Sequence, residues 1–338
     1  MASSSLPTPL FELRQRAGGL AARGFFEGLA RVGALHPDAN PARHGVEVLR
    51  DVPYRAPSSD RRHHLDVWRP VRREGPSPTV LYIHGGAFRI LSKETHWLMA
   101  LAFARRGCTV FNVGYRLAPQ HPFPAAIDDV CHAHAWVAAH AAEYGADLTR
   151  YVVAGESAGA NLATALAVAT CFRRDEPFAQ VAFDTGLRPR ALLPMCGMLQ
   201  VSDSGRFARR RPQLSSFLVD RMNEVAHGYL LPGTADPELE LADPLRVLES
   251  DRVPDHAWPP TFAGVGTKDP LLDDTRRLRR ALERRAVPVD VRYYPGELHA
   301  FHALVFRRNA RLAWADLFAF LRRQIDAELR IQLPTSAR

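Results

Sequence analysis

With 338 residues, 46% of them hydrophobic, the chain can bury one large core plus a small appendage. Its net charge of +8 rests almost wholly on arginines scattered along the sequence, Lys93 and Lys268 being the only lysines; without a clustered basic face or a nucleic-acid module, a nucleic-acid partner is not expected. No run approaches the roughly 18 apolar residues of a membrane span, and no basic segment with a signal-length apolar run opens the chain, so a soluble, cytoplasmic protein without stable membrane insertion is expected.

Residues 1–42 carry an amphipathic pattern through Phe25, Phe26, Leu29 and Val32, read as the N-terminal part of a cap. Strand patterns follow at 46–54 and 64–70 with no helix between them, which predicts an antiparallel hairpin. Further strands are expected at 79–86, 108–116, 150–156, 190–197, 260–269 and 289–296. Helical periodicity occupies 95–106, 125–144, 158–172, 273–286 and 309–326. The alternation predicts an α/β fold with an eight-stranded, mostly parallel sheet covered by helices on both faces. Its catalytic core spans 43–199 and 256–338. Between the two parts, residues 200–255 are interrupted by five prolines and read as a cap insertion. The segment 275–287 places Leu278, Ala281 and Leu282 on one helical stripe and arginines opposite, as in a solvated helix face. Arg209–Arg211 fall in a loop-like stretch that could form part of a site rim. Four cysteines, Cys108, Cys131, Cys171 and Cys196, sit far apart in apolar segments and read as reduced core thiols.

The stretch VVAGESAGANLA (152–163) places Ser157 between Gly155 and Gly159, where a strand runs directly into an alanine-rich helix. A sharp strand-to-helix corner strains the residue at its tip, and flanking glycines remove the side chains that would block it. Ser157 would then project its hydroxyl where the backbone N–H groups of the next helix gather. A serine hydroxyl needs a base and a group that orients the base. In a parallel sheet both belong at the carboxyl ends of strands. Asp269 just follows one strand and His299 the last, with Asp273 and Asp274 competing for the acid role and His302 and His121 for the base. Asp273 is better placed as the N-cap of the arginine-rich helix. YIHGGAF (82–88) closes the third strand with consecutive glycines whose N–H groups can approach an oxyanion.

HGGAF, YRLAPQHPFPAAIDD (115–129), GESAGAN, DPLLDD (269–274) and LHAF, spread over roughly 45–325, resemble the motifs of the hormone-sensitive-lipase-like esterases, bacterial family IV of the α/β-hydrolase superfamily. The resemblance implies Ser157 as nucleophile with Asp269 and His299 as partners. It also implies an oxyanion hole from Gly85, Gly86, Ala87 and Ala158, supported by the motif residues His84, Gly155, Glu156 and Gly159. No metal or organic cofactor is required, the partner is a small ester substrate, and relatives often form homodimers. Three positions depart from the usual pattern: Ala87 and Ala300 stand where glycine is common, and Glu156 where aspartate is. The expected activity is hydrolysis of short- to medium-chain acyl esters through an acyl-enzyme. An amidase or formamidase on the same groups, a lipase acting at a membrane surface, and a non-catalytic receptor on this fold are the alternatives.

Overall fold

A computed structural model describes residues 26–233 and 239–325, together with Gly19, Arg23 and Gly24. Eight strands form one sheet: β1 (Val46–Pro53), β2 (His64–Pro70), β3 (Ser77–Ile83), β4 (Thr109–Val113), β5 (Ala146–Glu156), β6 (Ala191–Met195), β7 (Thr261–Gly266) and β8 (Val289–Tyr294), in the order β1-β2-β4-β3-β5-β6-β7-β8. β2 pairs antiparallel with both β1 and β4, and every other pairing is parallel. The expected hairpin and mostly parallel sheet are therefore present.

The helices are α1 (26–34 of the described chain), α2 (Trp97–Ala104), α3 (Ala125–His140), α4 (Ala158–Cys171), α5 (Pro177–Asp184), α6 (Arg206–Arg210), α7 (Ser216–Tyr229), α8 (Pro244–Glu249), α9 (Leu272–Arg284) and α10 (Arg308–Ile325). Strand alternation sends Val80, Tyr82 and Val110 toward a core shared with Met99, Phe103, Trp314 and Phe318 of α2 and α10. Leu81, Ile83 and Phe111 point the other way, among residues of α3, α4, α8 and α9. β5 lies at the middle, so the helix after it is enclosed: every residue of α4 is buried, which explains its lack of a polar stripe.

Three expectations need correction. β3 ends at Ile83, β4 at Val113 and β7 at Gly266, each three residues short of the expected end, so His84, Gly85 and Gly86 are loop rather than strand. Asp273 is not a helix N-cap; that position falls at Leu271, and Asp273 lies in the first turn of α9 paired with Arg210. Of the N-terminal stripe, Phe26 and Leu29 line the cavity described below, whereas Val32 is 68% exposed and faces away; Phe25 lies outside the described residues. The expected stripe on α9 is present, with Leu278, Ala281 and Leu282 buried, although Arg277 is also buried and bonded to Glu249 and Gln200. The four cysteines are free and buried. Among the described residues no helix is long and apolar enough to cross a membrane.

Candidate active site

The corner after β5 has the geometry that its glycines allow. Ser157 adopts φ 56°, ψ −117°, a strained conformation for a residue with a side chain. A methyl group added at Gly159 would lie 2.1 Å from the Ile83 carbonyl oxygen, and one at Gly155 2.5 Å from that of Gly159. The Ser157 N–H donates to Met195 O at 2.9 Å, and Asn161 Nδ2 donates to Met198 O at 2.7 Å, so the end of β6 braces the turn.

The carboxyl ends of β7 and β8 bring the two distant partners to this hydroxyl. His299 Nε2 lies 2.9 Å from Ser157 Oγ, and its Nδ1 lies 2.9 Å from Asp269 Oδ2. The second oxygen of Asp269 accepts the Leu271 N–H at 2.8 Å, fixing the buried carboxylate by the same turn contact that Asp before Pro commonly makes. Burial works against a charge on His299, but the Asp269 carboxylate and the neighbouring Cys196 thiol outweigh it and raise its pKa well above 6.5. Such a line of groups can draw a proton from the hydroxyl and hold the imidazole in one tautomer.

The other candidates are excluded by position. Asp274 is buried against Arg206 and the Leu199 N–H. His302 is buried, its pKa pushed down to about 3 by burial, and its carbonyl accepts from Trp314 Nε1. His121 lies outside the cavity lining. Arg209 and Arg210 pair with Asp203 and Asp273, while Arg211 donates to the Asp269 carbonyl at 2.5 Å, so this run ties the insertion to the loop carrying the acid.

Not all the expected oxyanion donors are free. The Gly85 N–H donates to Glu156 Oε1 at 2.6 Å, which removes it from the set. Gly86 (φ 119°) and Ala87 (φ 56°) follow in left-handed backbone, and Ala158 opens α4. Glu156 and His84 hold this loop from behind. Glu156 Oε1 also lies 2.7 Å from His96 Nε2. The His84 ring stacks on Tyr115 at 4.2 Å and its Nδ1–H donates to Gly85 O at 2.7 Å. Burial pushes Glu156 up to about 8, His96 down to about 4 and His84 down to about 3.

Ser157 and His299 open into a cavity of about 1660 Å³. Phe26 and Leu29 of α1 and Phe217, Leu218 and Met222 of α7 line it with Leu298 and Phe306, so residues of both regions read as cap line the same cavity as Ser157. The later part of the insertion turns to the core instead: α8 packs on α4 and α9, with Leu245 N–H bonded to Leu199 O.

A family model described as alpha/beta hydrolase fold matches residues 80–303. Carboxylesterase NlhH of Mycobacterium tuberculosis is 30% identical over 285 residues, covering 82% of this chain and 80% of its own. Esterase LipI of the same organism is 32% identical over 236 residues, covering 68% and 67%. This chain belongs to the hormone-sensitive-lipase-like α/β hydrolases. The structure of a bacterial heroin esterase has the same fold, with a TM-score of 0.73 at 23% identity over 91% of this chain and 92% of that one.

In this hydrolase one site residue carried no sequence signal. Cys196 reads as a core thiol, but its sulfur lies with the ligand atoms of Asp269 and His299 in a group whose members are all within 4.8 Å of one another. That spacing suits a metal ion, although the imidazole and the carboxylate already engage each other. The Glu156–Gly85 contact, spanning 71 residues, is equally invisible in a linear pattern. The Glu that replaces the usual Asp is its only trace.

Proposed function

We propose that this carboxylic ester hydrolase works by two-step acyl transfer on short- to medium-chain acyl esters, with Ser157 as nucleophile, His299 as general base and acid, and Asp269 as the group that orients it. The observation that carries the reading is the unbroken Ser157–His299–Asp269 relay, 2.9 Å at each step, in a cavity that Gly86, Ala87 and Ala158 also line. His299 Nε2 takes the proton as Ser157 Oγ attacks the ester carbonyl. The oxyanion that forms receives the three N–H groups, each worth on the order of 3 kcal/mol in the transition state. Protonated His299 then gives its proton to the departing alcohol, and water repeats the sequence on the acyl-serine. The similarity to a carboxylesterase, an esterase and an acetyl esterase favours ester over amide cleavage and lends nothing to a receptor role.

A panel of p-nitrophenyl esters of increasing acyl length, from acetate to decanoate, tests this. Turnover should be highest at the short to middle lengths, and Ser157→Ala should reduce it by at least about a thousandfold while leaving the unfolding transition in place. Retained turnover in Ser157→Ala removes the proposed nucleophile. Because the base must be neutral to act, the raised pKa of His299 sets the sign of the pH profile. The acid limb of kcat/KM should lie above pH 6.5, and a limb at or below that value contradicts the Asp269–His299 coupling.

A further inference from the structure

The two residues that follow Ala87 are gripped by a single helix of the insertion. Phe88 (φ 60°) is fully buried and stacks face to face on Tyr229 at the end of α7, with ring centroids 3.8 Å apart and planes 10° apart. Tyr229 is itself backed edge-on by Phe123, whose N–H donates to Tyr229 O at 2.8 Å. One turn earlier on α7, Glu224 Oε1 meets the Arg89 guanidinium at 2.6 Å, and its backbone oxygen accepts a second contact from Arg89 at 3.3 Å. A methyl group at Gly228 would lie 2.8 Å from Arg89 Nε, so a glycine is what lets the arginine lie flat across the helix. From Gly86 to Phe88 three consecutive residues are left-handed, a conformation that alanine and phenylalanine do not hold unaided.

We propose that α7, besides walling the cavity, positions the oxyanion donors: Tyr229 and Glu224 are positioning residues that hold Phe88 and Arg89, and through them aim the Ala87 N–H at the reacting carbonyl. The inference rests on the acyl-transfer reading above. It makes the cap a part of the transition-state machinery, acting on kcat, where a simple wall would act on KM and on acyl-length preference.

Tyr229→Leu removes the stacked ring, Tyr229→Phe keeps it, and Glu224→Gln keeps size while removing the charge that holds Arg89. With a dissolved short-chain ester, Tyr229→Leu and Glu224→Gln should each lower kcat about tenfold, a fraction of the loss for deleting a whole donor, with KM within about twofold. Affinity for an alkyl trifluoromethyl ketone, which forms a tetrahedral oxyanion on Ser157, should fall by the same factor. Affinity for the acid product should not change, and Tyr229→Phe should match wild type on every measure. If Tyr229→Leu does not fold, Glu224→Gln decides by itself. The proposal is overturned if kcat stays within twofold, or if the losses appear in KM and grow with acyl length. Absence of any ester turnover in the wild type would instead strike the acyl-transfer reading, so the two failures are distinct.

Discussion

The corner at Ser157 and the loop from His84 to Leu91 hold equally unfavourable backbone by different means. Ser157 sits between the central strand and a wholly buried helix, with main-chain oxygens packed against both flanking glycines and the end of β6 bonded to its own N–H. The loop from His84 to Leu91 is held by side chains: Glu156 on Gly85, Tyr115 on His84, Tyr229 on Phe88 and Glu224 on Arg89. Strain in the first is supported by the core itself, and strain in the second by contacts that could be removed one at a time. Damage to the corner should therefore appear as lost stability, and damage to the loop as lost catalysis.

The largest expected effect tests that division directly. Gly159→Ala drives a methyl group to 2.1 Å from one backbone oxygen and 2.6 Å from another, with no flexible neighbour to yield. It should cost about 3 kcal/mol or more, read by urea unfolding. Gly86→Ala meets the Ile90 oxygen at 2.0 Å from a φ of 119°, but in a loop that can shift. Its main effect should be a fall in kcat on the order of a hundredfold, with a stability loss of about 1–2 kcal/mol. Equal stability losses in the two variants would erase the distinction between core-held and contact-held strain.

A smaller effect sharpens the comparison on the loop side. Glu156 keeps its proton up to about pH 8 in the folded protein, against an ordinary value of 4.5, because burial disfavours its charge. Its contribution is complete below pH 4.5 and is lost as pH rises toward 8, since the unfolded chain releases the proton first. His96, pushed down to about 4 from 6.5 by the same burial, has the opposite sign: stability rises between pH 4 and 6.5. The two oppose each other up to pH 6.5, leaving 6.5 to 8 as the window in which wild type weakens with rising pH, Glu156 and the raised His299 each contributing at most about 1.4 kcal/mol per unit. Glu156→Gln preserves an acceptor for Gly85 and cannot titrate, so its denaturation midpoint should fall less steeply across that window than the wild-type midpoint, keeping only the decline that the raised His299 causes. A parallel decline in both would detach Glu156 from the pH response.

The same division explains what the sequence revealed. Ser157 with its glycines, and Asp269 and His299 at strand ends, were legible because each follows from local sterics or from the placement of groups on a parallel sheet. The eight strands were legible because both faces of the sheet are covered, which keeps their runs apolar. The end of β3 was misplaced by three residues because His84, Gly85 and Gly86 prolong an extended-looking run. α5 was missed because eight residues beginning at Pro177 give too little periodicity. The resemblance places Gly85 among the donors because nothing local shows that Glu156, 71 residues away, holds its N–H. Tyr229, Glu224 and Cys196 share that limit: their roles come from which loop lies opposite, and the proline-broken insertion offers no regular pattern from which to infer it.

The smallest expected effect lies at Ala300, directly after His299, where glycine is usual. Its φ of 55° and ψ of 24° place a methyl-bearing residue in left-handed backbone, at a cost of roughly 1–2 kcal/mol, part of which the lower entropy of an unfolded alanine offsets. Ala300→Gly should therefore stabilise the protein by about 0.5–1 kcal/mol, a rise of roughly 1–2 °C in Tm that differential scanning calorimetry resolves. Ala286, left-handed at φ 53° and exposed after α9, is the matched control, and Ala286→Gly should give a similar gain with unchanged kcat. Equal gains with kcat preserved at both sites mark the strain at Ala300 as ordinary turn strain beside a relay fixed by Asp269. A gain at Ala286 with a fall in kcat at Ala300 would show the methyl group holding His299 in line, and would move this turn from the core-held class into the contact-held one.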